Sequence, residues 1–427
     1  MRGLMKVWAS GVAALAAAAI APFAGADVPE KPTFTKDVLP ILQENCQTCH
    51  RPKPINMSGM TAPFALTSYE EARPWSKAIA KAVTAKTMPP WFATPEFHGV
   101  FRNERGLTED EIATIQKWVQ QGAARGNPQD APDPREFQDT GWWLGEPDLV
   151  VNLPEPVWVG DEVTDWQPNI DVKLTDEMLP DDRWIKTIEA QAGSEPVHHI
   201  VVFKLEPGND RMNQFGGANI GGLAPGAEPG FVQDGYGIEL KKNSTLRINM
   251  HYHKEAGPGT GVYDTSRLGL FFYPKGEVVK PVNIEPVGST NFEIPPNTDN
   301  YTVSMARTFD KPFRVLNYLP HTHVRGKSAV YTAFLPDGST EKLLDVPNYD
   351  YNWQLYYEYP EPKLFPAGTR IEVEMVYNNS ASNPDNPNPD KAVGFGLDTT
   401  EDEMAFGWMQ YAFEDGTTSR SYTRGNF

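Results

Sequence analysis

Two cysteines occur in the 427 residues, three positions apart and with a histidine directly behind them: Cys46-Gln47-Thr48-Cys49-His50. In C-x-x-C-H, two thiols add across the vinyl groups of a haem while the adjacent imidazole reaches the iron. A thioredoxin-like C-x-x-C or half of a zinc site needs no trailing histidine, and no second cysteine pair exists to complete a zinc ribbon. One covalent haem c is therefore expected. Met57, Met60, Met88 and His98 all lie downstream as sources of a second axial ligand. Met88, in Thr87-Met88-Pro89-Pro90-Trp91, is the choice, because prolines stiffen a loop that presents a thioether. His98 is assigned to the surface.

Of the eight histidines, the six beyond His50 and His98 fall into three tight groups: His198-His199, His251-Tyr252-His253 and His321-Thr322-His323. Such grouping points to metal binding. His321 and His323, at i and i+2, share a strand face and can grip one ion together. Adjacent His198 and His199 need a bulge or a strand end to converge. Neutral imidazoles without thiolate or carboxylate support suit copper or zinc, and a nearby methionine tilts the choice toward copper cycling through Cu(I). His253 shares a strand face with His251. It reads either as a supporting or alternate ligand or as a solvated turn residue.

The elements that must position these groups change along the chain. Residues 33–45 and 109–124 carry apolar residues at helical spacing, with Thr108 a candidate N-cap before acids. The interval 27–126 therefore reads as a small helical unit. Residues 127–145, rich in Pro, Asp and Gln, read as a linker. From 146 onward, short alternating strands such as RWIKTIEAQ, HHIVVFKLEPG, TLRINMHYH and RIEVEMVYN are punctuated by Pro, Gly and Asn. The 39 prolines and 35 glycines agree with an all-β bulk. HHIVVFKLEPG resembles HTHVRGKSAVYTAFLPDG, and nearly equal intervals separate His199 from His251 and His323 from Val376. These signs predict a duplicated sandwich.

Residues 1–26 read as a secretory signal: Arg2 and Lys6, an Ala-rich apolar run over 11–20, and Ala24-Gly25-Ala26 for cleavage. A periplasmic or secreted location follows, with no membrane span after cleavage. The net charge of -18 disfavours nucleic acid and anionic lipid. It suits basic redox partners or divalent ions, or simply solubility. With both cysteines in one motif, no structural disulfide is expected.

The series His198-His199, Met250-His251-Tyr252, His321-Thr322-His323 and Asp402-Glu403-Met404 resembles the copper type II, ascorbate-dependent monooxygenases, the peptidylglycine and dopamine hydroxylase family. Five histidines and one methionine stand in the family's order across roughly residues 146 to 415. The stretch around Met88 resembles the distal side of small class I cytochromes c. Together the resemblances imply a multidomain chain: a small all-α cytochrome c domain, then two all-β jelly-roll-like sandwich subdomains at 146–288 and 289–427, each holding one copper. By motif, His198, His199 and His251 would bind the electron-storing copper. His321, His323 and Met404 would bind the copper that activates dioxygen, with Met409 the fallback for Met404.

The implied activity is hydroxylation of a C–H bond of a small organic substrate by dioxygen. An external donor, either a periplasmic redox protein or a small reductant, would supply electrons through the haem. The alternative is a copper-haem electron-transfer or redox-sensing protein without oxygenase turnover. The chain departs from the family in four places: no disulfides, a fused cytochrome, Leu319 where an arginine anchors a peptide carboxylate, and Trp408 where a tyrosine is expected. Peptide amidation is therefore not expected, and the substrate pocket is read as more apolar.

Overall fold

The computed structural model describes residues 28–52, 62–137, 141–208, 217–224 and 233–418. The expected leader, Met57 and Met60 lie outside the described residues. A π-helical turn, Phe34–Val38, runs into α1 (Leu39–Asn45), followed by α2 (Tyr69–Thr84) and α3 (Glu109–Gln120). Thr108 and Glu111 form a reciprocal capping box at the start of α3, which satisfies amides that otherwise lack partners in a first helical turn. Helix α2 escapes the periodicity reading, yet Ser68 caps it by accepting the Glu71 amide, and Ala72, Ser76, Ile79 and Val83 form its buried stripe. The fully buried Trp118 centres this unit, 6.0 Å from the Phe34 ring and packed with Val38, Leu42 and Ile115.

The β region contains two lobes of eight principal strands. In the first, β1 (Leu149–Asn152), β2 (Asn169–Lys173), β3 (Arg183–Gln191), β4 (Val197–Leu205), β5 (Ala218–Leu223), β6 (Tyr236–Leu240), β7 (Thr245–His253) and β8 (Arg267–Phe272) form two sheets. Their orders are β1-β8-β3-β6 and β2-β7-β4-β5. In the second, the strands are β9 (Asn283–Ser289), β10 (Thr298–Thr308), β11 (Phe313–His321), β12 (Gly326–Phe334), β13 (Thr340–Val346), β14 (Tyr357–Phe365), β15 (Arg370–Asn379) and β16 (Ala405–Phe413). Their orders are β9-β16-β11-β14 and β10-β15-β12-β13. Counted within each lobe, both repeat the order 1-8-3-6 over 2-7-4-5, which is the jelly-roll arrangement. The duplication expected from the sequence is present as strand order.

Each lobe buries its own core between its sheets. Ile188, Val202, Ile248 and Leu270 meet in the first, and Phe313, Tyr331, Val373 and Tyr411 in the second. Burial of one such side chain stabilises by about 1.5–3 kcal/mol, so each lobe has the means to stand as a rigid frame. Because β9 pairs along its length with β16, the lobes join ahead of Asn283 rather than at the expected 288/289 boundary. Strand pairing decides this, and composition does not report it.

Two stretches bind the helical unit to the lobes. Trp91 lies 4.8 Å from Tyr357, and Phe101 lies 5.3 Å from Tyr359, inside the second lobe's core. The Thr94 and Arg102 amides donate to the Asp345 and Glu358 carbonyls at 2.9 and 2.8 Å. Residues 91–103, grouped by sequence with the helical unit, are thus a strap on the second lobe. The expected linker is also anchored. Asp133 accepts from Gln43, and the Arg51 guanidinium sits 4.3 Å over Phe137 and 5.7 Å over Trp143. No helix among the described residues is long and apolar enough to cross a membrane.

Candidate metal centres between the two lobes

The sheet carrying β4, β5 and β7 faces the sheet carrying β9, β11 and β16 across a cleft. His199 comes from one wall, and His321, His323 and Met404 from the other.

On the first wall, β4 and β7 pair antiparallel, with Val197 opposite Tyr252 and His199 opposite His251. The register slips between Val197 and His199, so His198 occupies a bulge. This is the irregularity that adjacent histidines require to converge. His199 Nδ1 lies 3.4 Å from His198 Nδ1 and 3.2 Å from His251 Nδ1. Two nitrogens bound to one ion at ~2.0–2.1 Å in tetrahedral geometry stand ~3.4 Å apart, so the spacing matches a shared cation. The tautomer agrees. His251 Nε2 lies 2.8 Å from the Asp165 carboxylate, which can only accept, so the proton sits on Nε2 and Nδ1 presents a lone pair.

Asp165 also accepts from Thr399 Oγ1 and stands 3.5 Å from His253 Nδ1. Burial opposes its ionisation, but hydrogen bonds from His251 and His253 hold its carboxyl well below the usual carboxylate range. His253, half exposed, is raised by that same hydrogen bond and lies outside the Nδ1 trio. The structure thereby places it on the supporting carboxylate.

On the second wall, His321 closes β11 and His323 follows two residues later, their ring centres 5.6 Å apart. His323 Nδ1 lies 3.1 Å from the Asp402 carbonyl, and His321 Nδ1 lies 3.0 Å from Gln354 Oε1. Both acceptors fix the proton on Nδ1 and free Nε2, the reverse of His251. Strand alternation places the methionine. His321 pairs with Phe406, so continuing the register sets Met404 across from His323, on the face of β16 that also carries Phe406, Trp408 and Gln410. Met409 has the opposite strand parity and is packed in the core with Tyr318 and Tyr411, although it too borders the cleft.

Glu403, fully buried, accepts the backbone amides of His323 and Arg325 at 2.7 Å each and of Met404 at 3.2 Å. Its carboxylate therefore pins the loop that presents both candidate ligands, His323 and Met404. Between the two walls stands Tyr351, its ring 5.6 Å from His198 and 6.4 Å from His323.

Burial pushes His198 down to about 3, His323 to about 3 and His321 to about 4, and His199 well below its ordinary value. At neutral pH these rings are neutral imidazoles with free lone pairs, the form a metal ion binds.

No family model matches the chain, and no curated protein matches it. Among solved structures, the cowpea mosaic virus top component is 7% identical and aligns over 66% of this chain and 95% of that chain, with a TM-score of 0.31. The infectious bursal disease virus Gx strain is 11% identical over 64% of this chain and 74% of that chain, with a TM-score of 0.21. Likenesses at this level say nothing of function.

In the helical unit, Cys46 terminates α1, and the Cys49 and His50 amides donate to its carbonyl at 3.2 and 2.9 Å. One turn thus gathers all three groups of the motif. Burial pushes the Cys46 thiol up to about 12. His50 Nδ1 lies 3.1 Å from the Phe64 carbonyl, which can only accept, so Nε2 keeps its lone pair for a metal. Met88 is half-buried in the loop after α2. His98 is exposed, 2.8 Å from Glu104 Oε1, in keeping with a surface role.

Asp165, Gln354, Glu403 and Tyr351 were not marked by sequence. Only Glu403 left a trace, as the acid directly before Met404.

Proposed function

We propose that this chain is a copper-dependent monooxygenase that converts a C–H bond of a small organic substrate to C–OH. Dioxygen, two electrons and two protons are consumed, and one oxygen atom leaves as water. The observation that carries the reading is the pair of histidine nests facing one cleft, with opposite tautomers set by Asp165 on one wall and by the Asp402 carbonyl on the other. Two copper ions would supply one-electron redox chemistry and dioxygen activation, and one covalent haem c would store incoming electrons.

The chain's own groups divide the work. His198, His199 and His251 hold the first ion through Nδ1. His321 and His323, through Nε2, and Met404 hold the second, beside the apolar wall of Leu319, Phe406 and Trp408. A soft thioether at the second centre favours the reduced ion and so selects copper over zinc. Cys46, Cys49 and His50 would carry the haem, with Met88 as its distal ligand. Tethering keeps that donor at high effective concentration near the lobes. The leader expected at 1–26 would place the enzyme in the periplasm or outside the cell, supplied by a periplasmic redox protein or a small reductant.

Metal analysis of the purified holoprotein should give two copper per haem iron. Oxygen uptake should require both reductant and an organic substrate. Copper and haem without substrate-dependent uptake would instead assign electron transfer or redox sensing.

A further inference from the structure

The cleft wall is uncharged. Apart from the histidines, its described lining contains no acidic or basic side chain. Its floor follows two strand faces. Asn317, Leu319 and His321 alternate along β11, and Phe406, Trp408 and Gln410 along β16, with Leu319 directly opposite Trp408. The Phe406 and Trp408 rings stand edge to face at 5.9 Å. An apolar strip therefore leads away from the second histidine pair and ends at amides.

Two amides of the lining are incompletely used, Asn317 at that far end and Gln354 beside His321. Gln354 commits its Oε1 to His321 Nδ1, and its Nε2 finds no acceptor among the described residues. Asn317 is 1% exposed, and its Nδ2 likewise finds none. A buried N–H without an acceptor is costly, so two of them on one cleft wall mark places where a bound molecule offers oxygen. Asn317 and His321 are four residues apart on one strand, or ~13 Å, which sets the length of what lies between them.

We infer that the cleft takes a neutral, elongated molecule with an apolar body and a carbonyl or ether oxygen, its body over Leu319 and Trp408 and its oxygen on Asn317 Nδ2. At the Asn317 end, away from the proposed copper ions, an ammonium or carboxylate group has no counter-charge on the described wall, and placing it there would forfeit its hydration. The inference rests on the proposed oxygenase reading for the position of the reacting C–H bond, next to His321 and His323.

Binding can be read without turnover, by isothermal titration of the full-length copper-loaded protein under argon with four matched probes. These are 4-phenylbutan-2-one, butylbenzene, 3-phenylpropanoate and 3-phenylpropan-1-amine. The ketone should bind tightest, butylbenzene about tenfold more weakly for want of one hydrogen bond, and both charged probes more weakly still. Asn317→Leu should erase the ketone's advantage while leaving butylbenzene binding in place, which also shows that the variant is folded. Leu319→Arg should reverse the charge preference and raise 3-phenylpropanoate binding at least about tenfold.

Equal or tighter binding of either charged probe to the unaltered protein would overturn the inference. So would failure of both neutral probes to bind, or an unchanged ketone preference in Asn317→Leu. If Asn317→Leu does not fold, failure of Leu319→Arg to gain the carboxylate overturns it. Absent oxygen uptake with intact neutral-ketone preference would instead sink the oxygenase reading alone.

Discussion

Asp165 and Thr399 meet across the cleft: Thr399 Oγ1 donates to Asp165 Oδ2 at 3.1 Å, and that same oxygen accepts from His251 Nε2 at 2.8 Å. One carboxylate oxygen thus fixes the tautomer of a candidate ligand in the first lobe and ties that ligand to the second. A second bond, Gln167 Nε2 to the Leu397 carbonyl at 2.9 Å, runs alongside it. The geometry of the first histidine nest is therefore coupled to the contact between the lobes.

Replacing Asp165 by Ala should free the His251 ring by removing the acceptor for its Nε2 proton. Loss of such a supporting partner lowers metal affinity by about 10–100-fold. Competition with a copper chelator should show that weakening at the first centre, with the second centre's affinity unchanged. Equal weakening at both would mean that Asp165 acts on the cleft rather than on His251.

The depressed histidines impose a pH dependence on the metal-free protein. Their folded values, about 3 for His198 and His323 and about 4 for His321, lie below the ordinary imidazole value of 6.5. The unfolded chain therefore binds more protons as pH falls. Stability is complete above about pH 6.5 and is progressively lost between that point and the folded values. Calorimetric midpoints of metal-free protein should fall through this window, and His323→Gln should fall less steeply. A flat profile from pH 7 to 4.5 would contradict burial of these rings.

Glu403 presents a different case, because its partners are backbone amides that no other group replaces. Glu403→Ala leaves the His323, Arg325 and Met404 amides unsatisfied, and each unpaired buried donor costs about 1–3 kcal/mol. Urea denaturation should show a loss of about 3 kcal/mol or more, and copper should leave the second centre before the first. A loss within 0.5 kcal/mol, the range of an ordinary surface change, would mean that water takes the carboxylate's place.

The sequence carried the candidate ligand types but little of what orients them. C-x-x-C-H and the three histidine groups are local patterns, readable as candidate ligands because a metal or haem site calls for particular residue types at short spacing. Even the bulge at His198 follows, since neighbouring side chains on a regular strand point apart. The jelly-roll order and duplication also surfaced, through alternating strands and similar segments. Asp165 and Gln354 did not, because each reaches its histidine from far along the chain, through a single contact with no spacing rule behind it. The strap at Trp91 and Phe101 was hidden for a related reason. Its aromatics serve a core whose strands begin almost two hundred residues later, and local periodicity sees only the chain around it.

The two methionines of the last strand region separate the candidate ligand from a packing residue. Both methionines touch the cleft lining, but Met404 has the strand parity of Phe406 and Trp408, while Met409 has the opposite parity and is 1% exposed within the second lobe's core. Met404→Ala should leave the haem spectrum, the fold and copper in the first centre intact, weaken copper binding in the second, and abolish substrate-dependent oxygen uptake. Met409→Ala should do the opposite: copper stoichiometry stays at two, and denaturation shows the cost of a core cavity, about 2–5 kcal/mol. If Met404→Ala kept full activity while Met409→Ala lost copper, the alternation along β16 would have been assigned to the wrong face, and the second centre would have to be rebuilt on the core side of that strand.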